Sequence, residues 1–256
     1  MTYQSLQGKV AIVGGGAKNL GGLISKMLAD KGAKIVVHYN SVSSKAAADH
    51  MVATIKAVGS DAFAIQGDLT QVSNVTQLFD AAIQHFGQVD IAINTAGMVV
   101  KKPFTEISEQ DYDQIFAINA KAAFFFMQEA GKRLTDGGKI CTIVTSLLAA
   151  FTGYYSIYAG SKAPVEHFTR AASKEFGSRG ISVTAVAPGP METPFFYGQE
   201  TTESASYHQA AADLSKFTKT GLTDINDIAP LVLFLVTDGW WITGQTIFAN
   251  GGYTAR

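Results

Sequence analysis

The sequence predicts a doubly wound α/β protein: a seven-stranded parallel sheet with helices on both faces, in one domain over residues 1–256. Three observations carry this. Short apolar runs alternate with helix-like segments long enough for crossover connections, which makes the strands parallel and covers both sheet faces. The length suits one large α/β domain with a substantial core. Between the first run and its helix lies a turn rich in glycine, where such folds bind ligands.

Lys9–Val13 reads as the first buried strand, and Leu20–Lys31 as a helix with Leu20, Ile24, Met27 and Leu28 on one face, ended by Gly32. Lys34–His38 is the second strand and Ser43–Val58 an Ala-rich helix stopped by Gly59. Ala62–Gln66, the helix Val72–Phe86, and the strand Val89–Asn94 follow. Ser108–Leu134 reads as one long helix, opened by Ser108 and Asp111 as a capping pair. Lys139–Thr145, the helix Ser156–Ser178, the strand Ile181–Ala187, the helix Asp224–Val236 and the strand Gln245–Ala249 complete the series. No linker, repeat or low-complexity tract interrupts it. The one long irregular stretch, residues 188–222, has the length of a functional loop and is expected to bind substrate.

Lys plus Arg number 20 and Asp plus Glu 21, a formal net charge of −1, which gives no electrostatic basis for binding nucleic acid. Ile140–Ser161 is a run of 22 residues without a charged side chain or histidine, long enough to raise the question of a membrane span. Its six serines and threonines, among them Thr142, Thr145 and Ser146, answer it, and no membrane association is expected. Met1–Gly8 has no basic region followed by an apolar one, and Cys141 is the sole cysteine. Internal disulfides and cysteine-rich zinc sites are thereby excluded, no metal is expected, and the expected location is the cytoplasm.

The glycine-rich turn runs Gly14-Gly15-Gly16-Ala17-Lys18-Asn19-Leu20-Gly21-Gly22. Glycines let backbone N–H groups approach a phosphate, and the helix that follows adds its positive end. A triphosphate-binding loop would need Lys-Ser/Thr after the last glycine, and Gly21 is followed by Gly22-Leu23. A dinucleotide fits better, with Asn19 in a place that asks for a left-handed backbone. The second strand ends His38-Tyr39-Asn40-Ser41, without the acid that binds the ribose 2′-OH of NAD. Asn40, Ser41 and a cation, Lys18 or Lys45, would instead accept a 2′-phosphate, so NADP(H) is the expected cofactor. Farther on, Tyr158 and Lys162 stand at i and i+4, on one helix face. A free phenol, with pKa near 10, exchanges protons poorly at neutral pH, and a neighbouring ammonium lowers that value, so the pair suits general acid/base work.

The turn, Tyr158-Ala159-Gly160-Ser161-Lys162, Asn94-Thr95-Ala96-Gly97, Pro188-Gly189-Pro190-Met191-Glu192-Thr193, Ile242-Thr243-Gly244-Gln245 and Asn250-Gly251-Gly252 together resemble the motifs of the short-chain dehydrogenase/reductase family, in order, from about residue 7 to the C-terminus. The resemblance implies a single-domain Rossmann fold and reversible hydride transfer between NADP(H) and a carbonyl carbon, as in ketone reductases of the family. It implies cofactor contacts from Gly15, Lys18, Asn19, Leu20, Asn40, Ser41, Asp68, Leu69, Asn94, Ala96, Gly97, Tyr158, Lys162, Pro188, Gly189, Met191 and Thr193. Asp68 and Leu69 would hold the adenine, Pro188 would pack on the nicotinamide, and Tyr158 would pass the proton. Asn119 would hold a water joining Lys162 to solvent. Ser146, twelve residues before Tyr158, is assigned to the substrate oxygen. Thr145 is its rival, and a register shift of one residue exchanges them.

The expected substrate is a ketone or aldehyde with apolar bulk, bound among Met98, Val99, Leu147, Leu148, Phe151, Tyr154, Tyr155, Phe195, Phe196 and Tyr197. One alternative is a 3-oxoacyl-carrier-protein reductase, docking an acidic carrier on Lys132, Arg133, Arg170 and Lys174. A more distant one is a dinucleotide sensor without catalysis, disfavoured by the presence of Ser146, Tyr158 and Lys162. The resemblance and the low charged fraction, 16%, both point to a homotetramer or homodimer.

Overall fold

Successive side chains along each inner strand point to opposite faces, and here both sets are apolar. In the computed structural model, which describes residues 4–150, 152–198, 200–212 and 221–254, strand β1 (Val10–Gly14) sends Ala11 and Val13 to one face and Ile12 to the other. Strand β2 (Lys34–Tyr39) divides in the same way, Ile35 and Val37 against Val36, and strand β4 (Ile91–Asn94) sends Ile91 and Ile93 one way and Ala92 the other. A strand buried on both faces needs helices on both, and the chain supplies them.

Helices α1 (Asn19–Asp30), α2 (Lys45–Ala57) and α9 (Ile225–Leu235) cover one face through Ile24, Leu28, Ile55, Ile228 and Val232. Helices α3 (Val72–Phe86), α5 (Ala122–Arg133) and α6 (Ser156–Glu175) cover the other, where the rings of Phe79 and Phe126 meet edge to face at 5.3 Å. With β3 (Ala62–Gln66), β5 (Lys139–Ile143), β6 (Ser182–Pro188) and β7 (Gln245–Ala249), the seven strands form one parallel sheet of order β3-β2-β1-β4-β5-β6-β7. The order reverses between β1 and β4, where Gly14 pairs with Asn94, and a crevice opens there at the carboxyl ends of the strands.

Three segments differ from the sequence reading. The long helix is not continuous: α4 (Glu109–Phe116) passes through a wider π-turn at Ala117–Lys121 before α5. The apolar spacing runs on through that turn, which hides it. Ser108 and Asp111 do form the capping box that opens α4. Strand β5 stops at Ile143, two residues early, and a 3-10 turn begins at Ser146. The stretch 188–222 is not wholly irregular, since it contains the short helix α7 (Pro194–Tyr197) and α8 (Thr202–Ala212). Among the described residues no helix is long and apolar enough to cross a membrane, and no cluster of metal-ligating side chains occurs.

Candidate active site

The turn after β1 is held by groups from three neighbouring elements. Asn19 takes the left-handed backbone, φ 50°, at the first residue of α1. Buried Ser25, one helical turn further on, donates to the carbonyls of Gly16 and Gly21 at 3.0 and 2.9 Å. Thr95 ties the loop after β4 to the turn, its hydroxyl 2.7 Å from the Gly14 carbonyl. A Cβ on Gly21 would stand 2.3 Å from the Gly15 carbonyl oxygen, so no other residue fits there without moving the turn. From β2, the His38 ring accepts from the Gly15 N–H.

Below this turn lies an open cleft. Gly15, Lys18, Asn19, Leu20, Asn40, Leu69, Ala96, Gly97, Tyr158, Lys162, Met191 and Thr193 line it, as the sequence analysis expects. His38, Tyr39 and Ser44 stand at the end of β2, and no carboxylate lines the cleft among the described residues. Lys45 is committed to Asp49 at 2.6 Å, which leaves Lys18 as the cation at this rim. The closely approached glycine turn, the helix N-terminus and an acid-free end of β2 fit a dinucleotide carrying a 2′-phosphate.

Four expected residues line neither this cleft nor the pocket beside it. Ser41 turns to Ser43, 2.8 Å away, and Ser44 takes its place. Asp68 caps its own turn, accepting from the Thr70 N–H at 2.9 Å, and leaves Leu69 at the cleft. Asn94 is buried and accepts from the Ala96 N–H at 3.0 Å. Asn119 lies behind the wall: its amide donates to the Met98 carbonyl at 2.8 Å and to Ser161 at 2.9 Å, and its oxygen accepts from the Met98 N–H at 3.0 Å. The π-turn swings Asn119 into this position, where it fastens the loop after β4 to α6.

Tyr158 and Lys162 lie one turn apart at the start of α6. The Lys162 ammonium is buried and donates to the Ile143 carbonyl at 2.9 Å, and burial draws its pKa down to about 8. A Cβ on Gly97 would come within 3.0 Å of both Lys162 Nζ and Asn119 Oδ1, so the bare backbone passes directly over the ammonium. Burial pushes the Tyr158 phenol up to about 12, with a hydrogen bond to Thr145 drawing it the other way. The sequence analysis expects a lowered phenol, and burial raises it instead. Thr145 and Ser146 both line the pocket beside Tyr158, and it is Thr145 that acts on the phenol. The strand alternation used to prefer Ser146 ends at Ile143, and Thr145 caps the 3-10 turn, also accepting from the Leu147 N–H at 3.2 Å.

A second pocket, about 630 Å³, adjoins the cleft and shares Val144, Tyr158, Met191, Thr193 and Phe195 with it. Pro188 and Gly189 line this pocket rather than the cleft. Of the expected substrate contacts, Val99, Leu147, Tyr155, Phe195 and Phe196 are present. Met98 faces the cofactor cleft, Leu148 packs against the core, and Tyr154 and Tyr197 are exposed. Phe151 lies outside the described residues.

The pocket also has a polar end that the sequence analysis missed. Glu200, its side chain 1% exposed, accepts from the Tyr155 hydroxyl and from Ser204, and forms a salt bridge with Lys101. His208 of α8 stands 3.8 Å from the same carboxylate and 3.4 Å from the Tyr155 hydroxyl. Burial raises the Glu200 pKa, but its bonds to Lys101, Ser204 and Tyr155 outweigh that and keep it ionised. Burial lowers His208. Lys101 and Glu200 are 99 residues apart, so no local pattern signals the pair.

The molecule matches known proteins over almost its whole length. The profile of the family described as enoyl-(acyl carrier protein) reductase matches residues 15–254. A hydroxynaphthalene reductase-like protein of Metarhizium brunneum is 38% identical over 98% of this chain and 97% of its own. A short-chain dehydrogenase/reductase of Pestalotiopsis microspora is 36% identical over 96% of each. The crystal structure of a putative dehydrogenase from Burkholderia cenocepacia with bound NADP is 60% identical and superposes with a TM-score of 0.97 over 100% of this chain and 97% of that one. Sheet order, glycine turn, Tyr158–Lys162 pair and these matches agree: the chain is an oxidoreductase of the short-chain dehydrogenase/reductase family.

Proposed function

We propose that this protein is an NADPH-dependent reductase that converts a ketone or aldehyde to an alcohol, with Tyr158 as the proton donor. One observation carries the reading: Tyr158 is the only ionisable side chain, among the described residues, that lines both the dinucleotide cleft and the adjoining pocket. When bound, NADPH supplies a hydride to the carbonyl carbon. The protein's part is to place that carbon, polarise its oxygen and deliver a proton to it. A phenol held near pKa 12 keeps its proton at neutral pH, the form that reduction requires. The Thr145 hydroxyl, beside the same phenol, takes the oxygen-polarising role that strand alternation gave to Ser146. Lys162, one helical turn beyond Tyr158, holds positive charge in the same cleft, and Asn119 fixes the Met98 loop.

Lys18, Asn19, Leu20, Asn40, Leu69, Ala96 and Gly97 are the cofactor contacts in this reading, and residues 188–222 form the substrate-binding loop. The bound NADP of the Burkholderia cenocepacia relative supports the choice of cofactor. The carrier-protein alternative has little support from the surface, where Lys132 and Arg133 are paired with Glu129, and Arg170 lies 3.9 Å from Glu166. Exposed Phe104, Phe124, Trp240 and Trp241 support association with further copies of the chain. The test is Tyr158→Phe. Reduction of a ketone panel should fall by about 10²–10⁴-fold in kcat while NADPH binding is kept, and an active variant would overturn the assignment.

A further inference from the structure

His38 sits at the centre of the cofactor wall, and no motif singles it out. It is the fifth residue of β2, 2% exposed, with every polar group committed. Its carbonyl accepts from the Gly16 N–H at 3.0 Å, and its ring Nδ1 accepts from the Gly15 N–H at 3.1 Å. Ring Nε2 lies 2.7 Å from the Gly67 carbonyl, at the end of β3. A carbonyl only accepts, so Nε2 carries the hydrogen. A peptide N–H only donates, so Nδ1 carries the lone pair. Both bonds together require the neutral imidazole in one tautomer. One side chain thereby joins the phosphate turn after β1 to the turn before Leu69.

We propose that neutral His38 is a positioning residue for the dinucleotide, fixing the Gly15 peptide in the turn, and that its protonation releases that turn and weakens NADPH binding. The proposal rests on the cofactor reading above. A second proton would face Nδ1–H against the Gly15 N–H, two donors with no acceptor between them. Burial lowers the His38 pKa below its ordinary 6.5, which the Gly67 carbonyl and the Asp68 carboxylate oppose. Lys18 from the β1 turn and Tyr39 on β2 line the same cleft, and Lys45 of α2 is paired with Asp49. The sign follows from the lowered value: binding is full above pH 6.5 and declines as the pH falls through the lower pKa.

The experiment measures the NADPH dissociation constant by fluorescence from pH 5 to pH 8 for the wild type, His38→Asn and His38→Ala. Asn offers an acceptor near the Nδ1 position and does not titrate. The cofactor's 2′-phosphate also titrates near pH 6, but equally in all three proteins, so the difference between them isolates His38. Expected are binding by His38→Asn close to wild type at pH 8 with a shallower acid decline, and binding by His38→Ala about 10-fold weaker at pH 8. Equal pH slopes for wild type and His38→Asn would overturn the proposal, as would undiminished binding by His38→Ala. If His38→Ala does not fold, the His38→Asn slope alone decides. A wild type that binds no NADPH at any pH would overturn the cofactor reading itself, a different result from equal slopes.

Discussion

Two lysines at the active-site region stand in opposite circumstances. Lys101, on the substrate side, ends on the carboxylate of Glu200. Lys162, on the cofactor side, ends on a backbone carbonyl, with no carboxylate beside it among the described residues. The contrast extends to the two walls. The cofactor wall is made of backbone turns at strand ends, braced by single side chains such as Ser25, Thr95 and His38. The substrate wall is made of side chains, several of them from α7 and α8, and closed by an ion pair. A wall of backbone is set by the sheet itself and can serve the same ligand in many relatives. A wall of side chains can be rebuilt residue by residue, which is where specificity has room to change.

The largest expected effect lies where the walls meet. Thr145→Val keeps the shape of the side chain and removes the hydroxyl bonded to Tyr158. The rate of ketone reduction should fall by about 10²–10³-fold in kcat, with NADPH affinity unchanged. Ser146→Ala should leave kcat near that of the parent. Steady-state kinetics on the two variants decides between adjacent residues, and the reverse pattern would restore Ser146 to the role that strand alternation gave it.

That one-residue choice shows which features the sequence made legible. The succession of strands and helices, the glycine turn and the Tyr158–Lys162 pair were readable because each depends on local periodicity or on spacing within one element. Thr145 against Ser146 was not, because it turns on where β5 stops, and β5 stops two residues before its apolar run suggests. The π-turn around Asn119 was hidden for a similar reason: a π-turn adds a residue to the helix without breaking the apolar run. His38 looked like one more strand residue, since its role appears only when the ends of β1 and β3 are set beside it. The Lys101–Glu200 pair joins segments that only the folded chain brings together.

A smaller effect tests whether the walls act independently. Glu200→Gln removes the charge that balances Lys101 and weakens the bonds to Tyr155 and Ser204. Tyr155 lies against Tyr158, ring centroids 6.3 Å apart, so loosening it disturbs the pocket more than the cleft. The expected outcome is a KM for the carbonyl substrate raised by about 10-fold, with the NADPH dissociation constant unchanged. A matching loss of NADPH affinity would show that the ion pair supports both walls and would end the comparison as drawn.

The smallest effect is on stability and belongs to Lys162. Its pKa falls from 10.5 in the open chain to about 8 when folded. Between those values the unfolded chain binds more protons than the folded one, so stability rises with pH across that window. Below pH 8 both states are protonated, and the folded protein carries the full cost of a buried ammonium with only the Ile143 carbonyl to meet it. Lys162→Met should therefore make the protein more stable at pH 7, by about 1 kcal/mol. The gap should narrow as the pH approaches 10. Urea unfolding at pH 7 and pH 9.5 measures it. A gain that stays constant with pH would assign it to better packing by Met, while a loss of stability at pH 7 would mean that the ammonium is better solvated than its surroundings indicate. Either result would remove the distinction between the two lysines, because the charge on Lys162 would then cost the folded protein no more than the charge on Lys101 does.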